Sequence, residues 1–257
     1  MAIGFLSWRA SRLPNLASLL DDKPVYLPLF LLGERRALAG WGRRPTANAT
    51  LCLAKGLKLN FLTVEDGFVR SVARLDAPLS IIVDDKGVYF DASMPSRLES
   101  LIRIPLDEAQ RARVRGLMEA WKQKRVSKYN YAREYGGPLP ERFVLVCDQT
   151  FGDQSVKYGA ANDASFQRML QAALHENPDC KVLIKTHPDV FSRKKRGYFA
   201  SETTAGRHRI QIIAEACHPV RLIEKAEAVY TVTSQMGFEA LIWGKRVRCF
   251  GMPFYGG

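Results

Sequence analysis

The chain has 257 residues and an ordinary globular composition, in which 47% of residues are hydrophobic and 25% are charged. These values exclude a disordered tail, a collagen-like rod and a small disulfide-stabilised scaffold. Because 38 Lys and Arg residues outnumber 26 Asp and Glu, the net charge is +12. This excess predicts a polyanionic partner: nucleic acid, an acidic sugar or nucleotide, or an anionic membrane surface.

The first half of the chain is predicted to contain strands separated by turns. Apolar runs at 25–32, 57–64, 79–83 and 88–90 indicate the strands, with a tight turn at Lys86-Gly87. Residues 106–130 are predicted to form one long basic helix. The turn-rich stretch Gly136-Gly137-Pro138 follows this helix and marks a boundary.

The second half alternates strands with helices. Strands are predicted at 143–147, 181–185, 228–232 and 246–250, and helices at 163–176, 220–224 and 237–243. Strand–helix–strand units of this length indicate a parallel sheet with right-handed crossovers. The sequence therefore predicts an α/β fold.

Polar segments follow three of these strands, at 148–155, 185–189 and 233–239. Ligands of parallel sheets bind at the carboxyl ends of the strands, so the three segments together predict a site for an anionic ligand. Ser234 and Gly237 lie at a helix start that can bind phosphate, although the serine of an isolated Ser-x-x-Gly is more often a plain helix N-cap. Glu239 can reach ribose hydroxyls or can complement the helix dipole. Lys185 ends a buried strand and favours an anion, whereas His187 is suited to a phosphate or to polar surface.

Carboxylates at strand ends provide a second signal. Glu65 and Asp66 follow strand 57–64, where a carboxylate can act as general acid or base, but Asp66-Gly67 also fits a simple turn. Asp153 follows Gly152 and can likewise be explained as part of a simple turn. Because both halves offer such carboxylates, we expect a cleft between two lobes. The basic run at 193–196 is typical of a solvated loop or of a segment that meets lipid headgroups or an acidic glycan.

Cysteine usage and hydropathy give expectations about the environment. The five cysteines are scattered and form no zinc-type cluster, which predicts a reducing compartment and no structural metal. Apolar stretches fall short of a membrane span, and Arg9, Arg12 and Pro14 interrupt the N-terminal one. We therefore expect a cytoplasmic protein, and these features leave open a position against a membrane surface.

Several ordered blocks carry a family resemblance. They are Trp-Gly-Arg-Arg-Pro from 41, Glu-Asp-Gly-Phe-Val-Arg-Ser from 65, Asp-Asp-Lys-Gly-Val-Tyr-Phe-Asp-Ala-Ser from 84, Ser-Lys-Tyr-Asn from 127, Gln-Thr-Phe-Gly-Asp-Gln-Ser-Val-Lys-Tyr-Gly from 149, His-Pro-Asp-Val from 187 and Thr-Ser-Gln-Met-Gly-Phe-Glu-Ala-Leu from 233. With these blocks the chain resembles the capsular polysaccharide export proteins that act as retaining β-Kdo transferases. The sequence around Asp148-Gln149-Thr150 resembles the first of their two transferase modules more than the second.

The resemblance implies a GT-B-like fold and a transferase that uses CMP-β-Kdo as donor, with no metal and no cofactor. It places an acceptor-side lobe at 1–103, a basic linker at 104–140 and a CMP-sugar-binding lobe at 141–257. By position, Asp153 is the nucleophile and Glu65 the acid/base. The substrate-binding residues are Asp66, Arg70, Gln149, Ser155, Lys185, His187, Ser234, Gln235, Gly237 and Glu239. Family members continue beyond Gly257 into further helices and a second module, so we expect a C-terminally truncated N-terminal module.

The implied acceptor is a Kdo-primed lyso-phosphatidylglycerol, on which a poly-Kdo linker for capsular polysaccharide is built. The implied partners are this lipid, the anionic cytoplasmic face of the bacterial inner membrane and other capsule assembly and export proteins. Two other hypotheses remain: an inactive fragment that acts as a membrane or assembly adaptor, and a basic polyanion-binding protein. No zinc-finger, helix-turn-helix or aromatic-interleaved basic pattern supports nucleic acid as a partner.

Overall fold

The computed structural model describes residues 2–27, 35–73, 76–186, 190, 196–199 and 208–256. The chain forms two compact units, Met1–Pro105 and Leu106–Gly257. The predicted linker 104–140 contributes its first two residues to the first unit, and its long helix belongs to the second.

The first unit is built on a five-stranded sheet. Its elements in chain order are β1 (Ala2–Phe5), α1 (Trp8–Ser11), α2 (Leu16–Leu20), β2 (Lys23–Tyr26), β3 (Arg35–Trp41), α3 (Pro45–Gly56), β4 (Asn60–Asp66), β5 (Ile81–Asp84) and α4 (Arg97–Ile102). The strand order is β2-β1-β3-β4-β5. All neighbouring pairs are parallel except β4 and β5, which are antiparallel.

Apolar positions on β1, β3 and β4 form the core of this unit. Phe5, Ala39 and Val64 are buried together with Leu16 and Leu20 of α2. The opposite face of β3 lies very close to α3: a Cβ atom on Gly40 would stand 2.6 Å from the Ala47 backbone. This close approach requires glycine at position 40.

Two strand predictions in the first unit are wrong in detail. No strand forms at 88–90, because the Asp84 carboxylate accepts the backbone N–H groups of Lys86 (2.8 Å), Gly87 (3.0 Å) and Arg97 (2.7 Å) and holds the chain in a turn. The strand predicted at 57–64 begins only at Asn60, since residue 58 adopts a left-handed φ of 54° after α3. Of the strand predicted at 25–32, β2 covers the beginning and residues 28–32 lie outside the described residues.

The second unit contains an all-parallel sheet. Its elements are α5 (Glu108–Gln123), β6 (Phe143–Cys147), α6 (Gln154–Tyr158), α7 (Asp163–Glu176), β7 (Lys181–Lys185), β8 (Ile210–Ile213), α8 (Val220–Lys225), β9 (Ala228–Thr231), α9 (Gln235–Ile242) and β10 (Arg246–Cys249). The strand order is β10-β9-β6-β7-β8. The parallel pairing predicted from the strand–helix alternation is confirmed.

Strand β6 lies at the centre of the sheet and is buried along its whole length. Val144 and Val146 face a cluster that includes Phe166 and Met169 of α7. Leu145 belongs to a second cluster with α8 residues such as Leu222. A strand covered on both faces reads as a continuous apolar run, which explains why its limits were predictable.

The long helix predicted at 106–130 is shorter in the structure. Asp107 and Gln110 form a capping box at its start, and α5 ends at Gln123. Arg125 then takes a positive φ of 52°, which a continuing helix excludes. Further on, the Asn130 side chain accepts the Ser127 N–H (3.0 Å) and donates to the Ser127 carbonyl (2.9 Å), which fixes a turn in place of a helical one.

Candidate active site

Three polar segments meet the same edge of the second sheet. They follow β6, β7 and β9, which are adjacent parallel strands, so their carboxyl ends are neighbours. Among the described residues, the segments after β6 and β9 are joined directly by side-chain hydrogen bonds. His187, in the segment after β7, lies outside the described residues.

Gln149 connects the first segment to the third. Its Nε2 donates to Thr233 Oγ1 at 3.0 Å, and its Oε1 accepts the Thr233 backbone N–H at 2.9 Å. The Ser155 hydroxyl lies 3.1 Å from Thr233 Oγ1 and 3.3 Å from Gln149 Nε2. Gln149 is buried and Ser155 is half-buried. The amide of Gln149 therefore holds the two segments together, and Ser155 is the more accessible member of this cluster.

Asp153 is held in one orientation at the start of α6. Its Oδ1 accepts hydrogen bonds from the Ser155 N–H (2.9 Å) and the Ser155 hydroxyl (3.0 Å). The preceding Gly152 has a φ of 78°, which allows the tight turn into the helix. Among the described residues no hydrogen bond reaches Oδ2 of Asp153, and the side chain is half-buried. One carboxylate oxygen is thus fixed and the other remains available for chemistry.

Lys185 is buried at the end of β7 and is only 4% exposed. Its ammonium donates to the carbonyls of Thr186 (2.8 Å) and Glu215 (3.3 Å). Burial lowers the pKa of this ammonium, while nearby acidic groups, including Asp148, oppose the shift. The structure therefore places the Lys185 charge beneath the sheet edge, bonded to backbone, and not on an open ligand surface.

Asp148 was not among the predicted site residues. It directly follows β6, and its Oδ1 accepts the N–H groups of Gln149 (2.9 Å) and Tyr198 (3.0 Å). Burial raises the pKa of the Asp148 carboxyl to about 6, although these backbone donors and Lys185 oppose the rise. A carboxylate at the end of a fully buried strand was the sequence signal that could have identified it.

The start of α9 differs from the prediction in one respect. Ser234 is the N-cap, and its hydroxyl accepts the Met236 N–H at 3.3 Å. Gly237 is buried, and a Cβ atom there would lie 2.5–2.8 Å from the Tyr255 ring and hydroxyl. Its N–H donates to the Ser234 carbonyl at 3.0 Å. The packing of Tyr255 is sufficient to explain why residue 237 is glycine. The close approach of a phosphate, which the sequence predicts, is not needed as the reason.

Glu239 is the most deeply buried carboxylate of the site, with 1% exposure. It accepts hydrogen bonds from the Ser127 hydroxyl (2.8 Å), the Lys128 backbone N–H (3.1 Å) and the Gln235 amide (3.3 Å). Burial raises the pKa of Glu239 to about 7, and the three donors oppose this rise. The Glu239 carboxylate therefore anchors the segment that starts at Ser127, and its reach to ribose hydroxyls stays a prediction.

Glu65 is the second-last residue of β4 in the first unit and is oriented by two donors. The Trp41 indole N–H and the Asp66 backbone N–H both donate to Glu65 Oε1 at 3.0 Å. Gly42 has a φ of 52°, and a Cβ atom there would stand 2.5 Å from Glu65 Oε2. Trp41 and Gly42 therefore shape the surroundings of this carboxylate, and the sequence block that contains them was the signal for their role.

Asp66, the last residue of β4, forms an ion pair with Arg70 in the loop that follows. The Arg70 Nε lies 3.2 Å from Asp66 Oδ1, and Arg70 Nη1 donates to the Ser71 hydroxyl at 2.9 Å. Arg70 also contacts the Asp76 carbonyl. Both predicted substrate-binding residues are thus engaged with their own loop.

The part of the chain that the structure describes contains neither a metal-binding cluster nor a membrane-spanning helix. No group of three or more His, Cys, Asp or Glu side chains there is arranged to hold a metal ion. No helix there combines the length and the apolar character needed to cross a membrane.

The sequence matches a family model described as "Capsule polysaccharide biosynthesis protein" over residues 36–136 and 107–257. A protein of Neisseria meningitidis serogroup B named "Capsule polysaccharide modification protein LipA" is 42% identical over 257 residues. The match covers 96% of this chain and 36% of LipA. The "Lipopolysaccharide-processing protein LpsZ" of Rhizobium meliloti is 35% identical over 204 residues, which cover 76% of this chain and 46% of LpsZ.

Two solved structures are similar over the whole chain. The structure titled "Thermosulfurimonas dismutans KpsC, beta Kdo 2,4 transferase" has a TM-score of 0.91 and 39% identity, and 82% of it is covered. The structure titled "Thermosulfurimonas dismutans KpsC, beta Kdo 2,7 transferase" has a TM-score of 0.70 and 22% identity, with 80% covered, which shows a shared fold. The two α/β units, with their mainly parallel sheets, and the first of these matches confirm the predicted α/β, GT-B-like fold class.

Proposed function

Because the chain belongs to the family of capsule polysaccharide biosynthesis proteins, we propose that it is a glycosyltransferase module that builds the Kdo-containing part of a bacterial capsular polysaccharide. Its similarity to a β-Kdo 2,4 transferase of known structure supports this reaction class. The chain spans about 36% of the length of its LipA relatives, so the proposal concerns one module.

The observation that carries the proposal is the orientation of Asp153. Ser155 holds one carboxylate oxygen with two hydrogen bonds, and the other oxygen has none from the described residues. A retaining transfer needs a carboxylate that attacks the anomeric carbon and forms a covalent glycosyl–enzyme intermediate. The bonded oxygen fixes the orientation of the Asp153 side chain, and the other oxygen is available to attack the sugar.

In the proposed reaction the donor is CMP-β-Kdo. Asp153 Oδ2 attacks the anomeric carbon, and the bond to CMP breaks with its electron pair on the phosphate oxygen. A hydroxyl of the acceptor, a Kdo-primed lyso-phosphatidylglycerol, then attacks the same carbon and releases Asp153. Glu65 is proposed as the group that takes the hydroxyl proton, and Trp41 orients it. Two inversions at one carbon give net retention.

The donor is proposed to bind at the sheet edge of the second unit, without a metal ion or cofactor. The start of α9, with Ser234 and Gln235, supplies partial positive charge to the CMP phosphate, and His187 adds a donor. The buried ammonium of Lys185 contributes through its field, because a charge in a low-dielectric interior acts over a longer distance. Glu239 acts indirectly by fixing the segment that starts at Ser127.

The test is transfer from CMP-Kdo to a synthetic Kdo-primed acceptor, with products identified by mass spectrometry. Asp153→Ala is expected to abolish transfer while CMP still raises the melting temperature, since the nucleotide does not need the nucleophile. Asp163→Asn, an exposed aspartate at the start of α7, is the matched control and should transfer normally. Normal turnover by Asp153→Ala would contradict the assignment.

The module is also proposed to act at the anionic cytoplasmic face of the inner membrane, together with other capsule assembly and export proteins. Helix α5 supports this: Val114 and Leu117 are 39% and 58% exposed, and Arg111, Arg113 and Arg115 surround them. Exposed apolar side chains among arginines are suited to acidic phospholipids.

Flotation with vesicles tests this surface. The chain is expected to bind vesicles that contain phosphatidylglycerol, less so at high salt, and not vesicles of phosphatidylcholine alone. Leu117→Glu should weaken binding more than Ala112→Glu, which adds the same charge at another exposed position of α5. Equal binding to both kinds of vesicle would contradict an anionic surface as the partner.

A further inference from the structure

A short segment outside the assigned residues lies beside Asp153. The Phe151 backbone N–H donates to the Arg196 carbonyl at 2.7 Å, and Thr150 forms an antiparallel bridge with Gly197. Arg196 is the last residue of the basic run at 193–196. The backbone pairing places it against the segment that carries Asp153.

This segment is firmly anchored. The Tyr198 N–H donates to the buried Asp148 carboxylate at 3.0 Å, and the Tyr198 ring stacks on Phe166 with 3.7 Å between centroids. Phe199 is buried. At Gly197, a Cβ atom would lie 2.3 Å from Asp148 Oδ2, so only glycine allows this approach. Arg196 therefore begins from a fixed backbone position.

The Arg196 side chain covers an exposed aromatic ring. Its guanidinium carbon is 4.7 Å from the Phe151 ring centroid, and Phe151 is 48% exposed. Among the described residues no carboxylate pairs with this guanidinium, which is itself exposed. A guanidinium that stacks on a ring keeps its N–H edges free and is pre-organised for a bidentate carboxylate contact.

We propose that Arg196, supported by Phe151, binds the carboxylate of the ulosonic sugar during transfer. The inference rests on the proposed function. Kdo carries its carboxylate on the anomeric carbon, which is the atom that Asp153 would attack. Two anionic groups then approach the same carbon and repel each other. Phe151, two residues before Asp153, pairs through its backbone with Arg196. The Arg196 cation beside this segment offsets the repulsion and orients the sugar.

Both the donor and the acceptor present such a carboxylate, and steady-state kinetics distinguish them. Arg196→Gln is expected to raise the KM for one of the two substrates about 10- to 100-fold, the loss typical of a hydrogen bond to a charged group. A rise for CMP-Kdo identifies the donor, and a rise for the Kdo-primed acceptor identifies the acceptor. Arg196→Lys should restore part of the affinity, because it keeps the charge and loses the bidentate geometry.

Arg248→Gln is the matched control. It removes the same charge, and Arg248 also lies over a phenylalanine ring, 5.7 Å from the Phe250 centroid. However, Arg248 pairs with Glu176 at the end of α7 and not with the segment of Asp153. Its KM values should equal those of the wild type. Unchanged kinetics in Arg196→Gln, or equal effects in both variants, would overturn the proposal.

A binding experiment separates this proposal from the proposed function. The full chain is titrated calorimetrically with Kdo methyl glycoside and with its neutral carboxamide. The wild type should prefer the carboxylate form, and Arg196→Gln should lose that preference. If transfer from CMP-Kdo fails but this preference is present, the proposed function is wrong and the carboxylate site stands. If the wild type shows no preference, the carboxylate site is overturned.

Discussion

Replacing Glu239 by glutamine should change how the stability of the chain depends on pH. The ordinary pKa of a glutamate is 4.5, and burial raises the pKa of Glu239 to about 7. Between these two pH values the folded chain holds a proton that the unfolded chain has lost. The free energy of unfolding therefore falls as the pH rises; this contribution is complete below 4.5 and has been lost above about 7.

The magnitude follows from the shift. For these two pKa values, the free energy of unfolding decreases by roughly 2–3 kcal/mol between pH 5 and pH 8 because of Glu239 alone. Glutamine does not titrate, so Glu239→Gln lacks this decrease. The variant also changes the hydrogen bonds with Ser127 and Lys128. That change is independent of pH and cancels when one pH is compared with another.

The assay is urea denaturation of both proteins at several pH values, followed by the fluorescence of Trp243, which directly follows α9. The stability of Glu239→Gln minus that of the wild type should rise by roughly 2–3 kcal/mol from pH 5 to pH 8. Glu141→Gln, at an exposed glutamate of the same unit, should change by less than about 0.5 kcal/mol. A constant difference between wild type and Glu239→Gln would refute the reasoning that this carboxyl is protonated in the folded chain.

Two further predictions concern glycines. Gly237→Ala pushes a methyl group into the Tyr255 ring and should destabilise the chain by about 1–3 kcal/mol. Gly116→Ala inside α5 is the control: its methyl group meets open space and should stabilise the chain by about 0.5–1 kcal/mol. Urea denaturation measures both, and equal effects would contradict the role of Tyr255. Gly42→Ala strains a positive φ and displaces Glu65, so the rate of transfer should fall more than tenfold while CMP still binds; an unchanged rate would contradict the role of Glu65.

Much of the second unit could be predicted because its three central strands, β9, β6 and β7, are buried along most or all of their length. Such strands appear in the sequence as unbroken apolar runs, and the limits predicted for β6, β7 and α7 agree with the structure. The first unit was harder to predict. Strand β1 and helices α1 and α2 are short, and the strand predicted at 88–90 failed because Asp84 captures the backbone there. Local propensity is a weak signal when one side chain can redirect three N–H groups.

For the site, the alternation of strands and helices is enough to predict which segments lie at the carboxyl edge of the sheet, because parallel connections fix that placement. The role of each polar side chain there depends on contacts with distant parts of the chain. Ser127 and Glu239 are 112 residues apart in the chain, and their hydrogen bond removes Glu239 from the surface. Likewise, the pairing of Phe151 with Arg196 depends on backbone contacts between distant segments. Burial and long-range partners set the pKa and accessibility of a charged group, and neither is encoded in the residues beside it.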